Sequence, residues 1–569
     1  GVINLGALNW RDRILGIQTN ARPDRRKLSA FLRNMNSSNQ NTKIPYRLRV
    51  GVTGHRRLPD DDDLSAQVFR AIDRARELVA SSNDLPVRLR VISPIAEGAD
   101  RLVAHAGLVD DTSELEVPLP MTREQYAEDF ETDESKAEFD ALLEQADLVT
   151  VMSESQTREE AYERAGRHVV DRCDVLIALW DGEPSRGRGG TAEVVAYARD
   201  AGVPILRVST DAPYQIQEEL GSGISQDAAS QISAFNKARL SDKSLADVIG
   251  WQASQANQQA EATGIDSARM TPFIEWILPY QARADVIAGR FQSRYFLFSS
   301  VLFMTAALAV AIIAGQFLFF PKHTELIWIE VALMIGLLLI LYFGRRWRLQ
   351  ERWLSNRFLA ERFRSALFLA VVGQEDSRQV SSESVNVGHS SDEWLRRAFE
   401  EVWNQRPQPL DDVELDKLRA FTASAWVQDQ ADYHQRAAHQ NEQKHQRLSY
   451  AIMALFGATL LTAVLHALEF GGHDDHSAFS IANILVFLAL TLPALAGALS
   501  GVRAQREYER NAERFKSMVP YLQAIADRVR SASDGSTLRP AAQDAETVMM
   551  AEPQDWFTIM KFHDFELHV

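Results

Sequence analysis

Residues 174–195 read DVLIALWDGEPSRGRGGTAEVV. One acid opens an apolar run of the length of a buried strand, too short for a buried helix. Glycines then end the strand, and TAEVVAYARD resumes at helical spacing. A strand that passes through glycines into a helix lets backbone amides and the positive end of a helix dipole approach an anion, the usual cradle for phosphate. This loop has three readings: it cuts a nucleotide, holds one, or only turns a corner.

Outward from this stretch, residues 44–212 alternate strands and helices. YRLRVGVTG (46–54), PVRLRVISP (86–94), ELEVPLP, LVTVMSE, DVLIALWDG and VPILRVS read as strands, with helical periods at 64–80, from Glu97, and around 135–146. Such alternation predicts an α/β fold, a doubly wound parallel sheet of Rossmann-like type whose ligand crevice lies at the carboxyl ends of the strands.

The chemistry-bearing residues fall at those ends. GVTGHR (51–56) ends the first strand and SPIAEGADRL (93–102) the second, while WDG and GRGGTAE follow the later one. Gly51, Gly54, Gly98, Gly182, Gly189 and Gly190 permit close backbone approach. Thr53, Ser93 and Thr191 bring hydroxyls, although Thr191 alone would be no more than an N-cap. Arg56 and Arg101 supply forks for phosphate. Glu97, Asp100, Asp181 and Glu193 suit ribose hydroxyls or base amines, and His55, Ala99 and Trp180 lie in the same segments. Three such elements ending three strands of one sheet predict a ligand site.

The second half of the chain has a different character. Residues 295–320 carry no charge and are long enough to cross roughly 30 Å of hydrocarbon as a helix. Residues 326–344, 448–468 and 477–502 are comparable, so four transmembrane helices in two hairpins are expected, an all-α membrane domain. Arg283, Arg290 and Arg294 precede the first span, and Arg345, Arg346, Arg348 and Arg352 follow the second. Lys444 and Arg447 precede the third, and Arg503, Arg506 and Arg510 follow the fourth, whereas the connecting loops hold only Lys322. This bias places both termini in the cytoplasm, and an inner-membrane location is expected. ERFRS (361–365) matches ERFKS (513–517) at an offset of 152, which also carries the first pair of spans onto the second and suggests one module used twice. After each pair a charged helix is expected; in the first, Trp353, Phe358 and Phe363 recur near helical spacing, so one face should pack and the other stay wet. Ala306, Ala309, Gly315, Ala494, Gly497 and Gly501 permit close helix packing.

The remaining segments divide accordingly. Residues 1–43 are a basic extension with no readable chemistry and no signal-peptide pattern. Residues 44–212 form the α/β domain and 213–280 a helical connector. The first hairpin module covers 281–375 and a cytosolic linker, Ser-rich at its start, 376–430. The second module covers 431–535, and a cytosolic tail 536–569. A net charge of −16 argues against nucleic acid as a partner. Cys173 is the single cysteine, which excludes disulfides and thiolate metal sites. HDDH (473–476) reads as a solvated loop, HQRAAHQNEQKHQR (434–447) as a polar pre-membrane helix, and no metal or cofactor is expected.

GVTGHRRL, SPIAEGADRLVA and CDVLIALWDG…GRGGTAEVV resemble the SLOG superfamily, which includes LOG-type nucleotide phosphoribohydrolases and nucleotide-signal sensors. The hairpins with their cytosolic helices resemble SLATT modules, associated with bacterial nucleotide-signalled conflict systems. In LOG hydrolases the loop reads P-G-G-x-G-T-x-x-E and its glutamate takes part in cleaving the N-glycosidic bond. Here Val194 stands in the place of that acid and Glu193 is one residue early, a rotation of about 100° on a helix. The resemblance therefore implies a sensor that binds a nucleotide-derived second messenger, such as a cyclic ADP-ribose isomer, a cyclic oligonucleotide or an ADP-ribose-like molecule. That sensor would gate a membrane pore built as a homo-oligomer, a dimer or tetramer, in anti-phage defence. The alternative is a membrane-tethered nucleotide N-glycosidase using Glu97 or Glu193.

Overall fold

The computed structural model describes residues 43–79, 85–153, 155–184, 189–221, 226–373, 393–470 and 479–561. The chain forms two compact units. Among the described residues, one comprises 43–238 with 393–404, the other 239–373 with 405–561.

The first unit is built on a seven-stranded sheet. Its strands are β1 (Tyr46–Gly54), β2 (Val87–Ile92), β3 (Glu114–Leu119), β4 (Leu148–Val151), β5 (Val175–Leu179), β6 (Ile205–Val208) and β7 (Ile216–Glu219), in the order β4-β3-β2-β1-β5-β6-β7. All neighbours are parallel except β6 and β7. Every residue of β5 is buried, as expected of a central strand covered on both faces. The strand order reverses between β1 and β5, so the crevice of a doubly wound sheet opens at their carboxyl ends. The helices here are α1 (Asp62–Val79), α2 (Ala99–Gly107), α3 (Arg123–Ala127), α4 (Asp133–Glu144), α5 (Arg158–Arg172), α6 (Thr191–Asp200) and α7 (Gln226–Lys237).

This unit extends beyond the expected end at residue 212. The antiparallel strand β7 reads IQEE, without the apolar run that marks a buried strand. Ionic contacts hold it at the edge, with Arg74 on Glu218 at 2.7 Å and Arg199 on Glu219 at 2.6 Å. Helix α7 closes on the sheet's start, where Asn236 exchanges two hydrogen bonds with the backbone of Ile44.

The second unit is helical and carries four helices long and apolar enough to cross a membrane. Helix α8 (Asp242–Ala262) leads into α9 (Ser267–Phe319), 53 residues without a break. The connector expected over 213–280 therefore ends inside the helix that forms the first span. The second span is α10 (Ile327–Arg346), followed by α11 (Leu349–Val372). The second pair is α14 (Asp429–Ala467) and α15 (Ile481–Arg506), followed by α16 (Tyr508–Ser531) and α17 (Gly535–Lys561). Two shorter helices complete the set among the described residues, α12 (Glu393–Trp403) in the first unit and α13 (Leu415–Phe421) in the second. A π-helical turn, Thr422–Gln428, joins α13 to α14 and stacks Trp426 on Phe368 at 5.0 Å.

Each pair ends in the same device. Arg348 (φ 47°) and Glu507 (φ 46°) adopt the left-handed conformation, break the helix, and are each followed by a helix of 24 residues. These elbows lie 159 positions apart, so ERFRS and ERFKS, 152 apart, sit about two helical turns out of step relative to them. The two following helices also differ in burial. Helix α11 is buried along most of its length, Trp353, Phe358 and Phe363 included, because α9 and α17 pack on it; the wet face expected for it is not observed. Helix α16 is amphipathic, burying Leu522, Ile525, Ala526 and Val529. First and fourth spans pack together: a Cβ on Gly501 would lie 2.6 Å from the Phe303 ring, and Phe319 stacks on Phe479 at 5.1 Å. Gly497 has no neighbour within 4 Å of such a Cβ.

Candidate functional site

The carboxyl ends of β1, β2 and β5 are knitted by their backbones. His55 N donates to Leu179 O at 3.1 Å, and Ala99 N donates to His55 O at 3.0 Å. This closeness dictates the glycines. A Cβ on Gly54 would lie 2.4 Å from Ala99 Cβ and 2.7 Å from Leu179 O. Gly98, the N-cap of α2, has φ 79°, and a Cβ there would meet the carbonyl oxygens of His55 and Arg56 at 2.4 Å. His55 Nε2 lies 3.3 Å from the Asp181 amide and 3.2 Å from its carboxylate. Gly54, His55, Gly98, Ala99 and Asp181 are thus brought together. Gly51 is not among them. It sits mid-strand, where a Cβ would be 2.8 Å from Cys173 and Val169, so it serves the packing of α5 on the sheet. Thr53, the residue before Gly54, is buried.

The loop after β2 is organised around Ser93 and Asp100, both buried. Ser93 Oγ accepts the Ile95 amide at 3.1 Å and donates to Asp100 O at 3.3 Å. Asp100 accepts the Ala96 amide at 3.2 Å. Burial pushes its carboxyl up to about 7, against the opposing pull of Arg56 and Arg101. Arg101 was expected as a phosphate fork, but its Nε donates to Ile95 O (3.2 Å) and its Nη1 to Ser135 (2.9 Å) and Glu138 (2.8 Å). It is 3% exposed, lies 4.6 Å from the Phe130 ring centroid, and ties the β2 loop to α4. Glu97 accepts a hydrogen bond from the Ser135 hydroxyl.

Arg56 remains available to an anion. It is exposed, stacks over Tyr162 at 5.3 Å, and reaches Asp129 only at 4.0 Å. Asp129 accepts hydrogen bonds from the Tyr162 hydroxyl and from Arg158. Tyr162 also underlies the glycine loop: a Cβ on Gly189 would lie 3.1 Å from Tyr162 Cβ. Tyr162, Asp129, Ser135 and Glu138 escaped sequence reading. The one signal for Tyr162 is an aromatic ring among the charged and small residues of REEAYERAGRHVV.

After β5, Trp180 is buried, with its Nε1 donating to Glu183 O at 3.0 Å. Gly182 has φ 93°, and Asp181 accepts the Glu183 amide at 2.9 Å. Residues 185–188 of the loop lie outside the described residues. Where the chain is described again, Gly189 (φ 79°) donates its amide to Glu193 Oε2 at 2.7 Å. The N-cap of α6 is Gly190, not Thr191, which is the first helical residue. Glu193 reaches back over the first turn in the manner of a capping-box acid. Val194 is buried against Gly166, where a Cβ would meet Val194 Cγ2 at 2.6 Å. The arrangement can receive an anion at the α6 amino end if Glu193 gives way, with Arg56 as counter-charge.

Among the described residues no group of three metal-ligating side chains occurs, and HDDH (473–476) lies outside them. A separate cleft of about 570 Å³, lined by Asp61, Asp63, Gln67, Arg70, Pro213 and Tyr214 among others, contains none of the candidate residues.

Comparison with known families adds one match. Residues 424–556 match the family described as SMODS and SLOG-associating 2TM effector domain 1. No curated protein matches the chain. The matched stretch takes in α14, α15, α16 and most of α17, so the second hairpin and the helices after it are similar to a two-span effector domain, in a chain that is a membrane protein.

Proposed function

We propose that the protein is a membrane effector of a bacterial nucleotide-signalled, anti-phage defence system. In this reading the α/β unit binds a nucleotide-derived second messenger, and the two hairpins, the first a divergent copy of the second, respond as a homo-oligomer by opening a pore or disrupting the bilayer. The observation that carries the sensor half is the convergence of the β1, β2 and β5 loops at the reversal of strand order, with Gly54 and Gly98 forced by contact distances and Arg56 exposed over the ring of Tyr162, whose Cβ underlies Gly189. The effector half is supported by the match over residues 424–556 and by the four apolar helices. Both acids of the hydrolase alternative are engaged by protein groups, Glu193 by the Gly189 amide and Glu97 by Ser135, which weighs toward binding over cutting.

The test uses the full chain in dye-loaded vesicles. Cyclic ADP-ribose isomers, cyclic dinucleotides and ADP-ribose are added singly, with thermal shift read in parallel. A nucleotide that raises the melting temperature and releases dye supports the reading. Steady release of free base would replace it with the glycosidase, and binding without leakage would remove the pore.

A further inference from the structure

Helix α12 lies between the two hairpins in sequence, yet it belongs to the α/β unit. Glu393, Arg397 and Glu401 follow one another at intervals of four and so share one face. That face meets the amino ends of β1, β2 and β5. Arg397 Nη1 donates to Asp174 and to the Tyr46 hydroxyl, each at 2.9 Å, while Nη2 donates to Glu393 at 2.7 Å. Arg49 shares both acids, at 3.0 Å from Asp174 and 3.3 Å from Glu393. Farther along, Glu401 pairs ionically with Arg47 at 2.8 Å and accepts a hydrogen bond from Arg88 at 2.9 Å. Asp174, Arg397 and Glu401 are 5%, 7% and 2% exposed. Burial alone would push the Asp174 carboxyl up, but Arg49 and Arg397 outweigh it and hold it well below the usual range.

Apolar side chains would hold a helix here at least as firmly, because buried ion pairs recover little more than their desolvation. The ionic seal has a different property. Its charges are buried and shared, so losing Arg397 leaves Asp174 to Arg49 alone and the remaining charges less fully neutralised. The same two strands also carry both ends of the problem. β1 and β5 bear Tyr46, Arg49 and, just before β5, Asp174 at the amino end; Gly54, His55 and Asp181 stand at or just beyond the carboxyl end. Their register runs unbroken from Val50↔Val175 to Gly54↔Leu179.

We propose that α12 is an ionic latch through which the α/β unit restrains the segment joining the two hairpins, and that releasing this latch activates the membrane module. The output rests on the membrane-effector reading above; the latch rests on the α12 contacts alone.

The experiment uses the full-length protein in dye-loaded phosphatidylethanolamine–phosphatidylglycerol vesicles with no nucleotide added. Arg397→Met removes the shared cation from α12, and Glu401→Gln is the milder second variant. Hydrogen exchange is followed at 394–403 and at 176–179 in β5. The expected result is exchange at least tenfold faster in α12, unchanged protection in β5, and nucleotide-free leakage raised at least fivefold. Unchanged α12 exchange overturns the latch. A freed α12 with unchanged or lower leakage overturns its role as a restraint. If Arg397→Met also loses β5 protection, Glu401→Gln decides by the same criteria. The two readings fail separately: leakage absent both with a bound nucleotide and with a freed α12 removes the membrane-effector reading, whereas leakage on nucleotide but not on a freed α12 removes the latch alone.

Discussion

The carboxylate of Glu193 accepts the backbone amide of Gly189 at 2.7 Å, closing the glycine loop onto the first turn of its own helix. A carboxylate therefore occupies the position in which a phosphate would be stabilised by the same amide and dipole. Any anionic ligand must displace it or bind against its charge. Glu193→Gln keeps the length of the side chain and removes that charge, so nucleotide or inorganic phosphate should bind about three- to tenfold more tightly, the equivalent of about 1 kcal/mol of dipole and charge interaction. Isothermal titration with the full-length protein reads this directly. Weaker binding to Glu193→Gln would instead assign the carboxylate to ribose or base.

Asp100 gives a pH signature. Burial raises its carboxyl from 3.8 to about 7, so the folded chain takes up a proton there that the unfolded chain releases near pH 4. Its contribution to stability is complete below about pH 4 and is lost as pH rises to about 7. Asp100→Asn should flatten the fall in melting temperature between pH 4 and 7, and the variant should be the more stable protein at pH 8. Glu546, which burial also raises to about 7, leaves a second, smaller slope in the same window that the variant keeps. An unchanged slope in Asp100→Asn would show that the loop admits water to this carboxylate.

Local signals made only part of the fold and site legible in the sequence. β5 was legible because a buried parallel strand is apolar throughout, and Gly54 and Gly98 because a turn that tight admits no side chain. Neither depends on distant parts of the chain. The partners of Arg101 do: Ser135 and Glu138 are 34 and 37 residues away, and nothing local distinguishes an arginine that binds a loop carbonyl from one that waits for phosphate. β7 was missed because ionic contacts, not apolar alternation, hold it at the sheet edge. The docking of α12 was hidden for the same reason, since DEWLRRAFEEVW has the composition of any amphipathic helix and its acceptor, Asp174, is more than 200 residues earlier. The four spans were legible because length and absence of charge suffice to define them.

In the helical unit, Arg362 of α11 and Glu546 of α17 form an ion pair at 3.0 Å with 1% and 2% exposure. Glu546→Ala leaves a buried guanidinium without its carboxylate and should cost about 3–5 kcal/mol. The paired replacement Arg362→Met with Glu546→Leu fills similar volume without charge and should recover most of that loss. Thermal unfolding in detergent compares the two. If the single and double variants melt together, the pair is not what docks α17 on α11.

The elbows supply the last prediction. Arg348 and Glu507 hold left-handed backbone, which costs a side-chain-bearing residue roughly 1–2 kcal/mol relative to the right-handed region. Glycine adopts that conformation freely. Each substitution also removes an i,i+3 ion pair, Arg348 with Glu351 at 2.6 Å and Glu507 with Arg510 at 3.2 Å, and such exposed pairs contribute about 0.2–1 kcal/mol. Relief of strain exceeds that loss, so Arg348→Gly and Glu507→Gly should each raise stability by about 0.5–1 kcal/mol, seen as a higher melting temperature in detergent. Alanine at the same positions loses the ion pair and keeps the strain, so it should be destabilising. If alanine and glycine behaved alike, the left-handed turn would not be the conformation these two positions adopt.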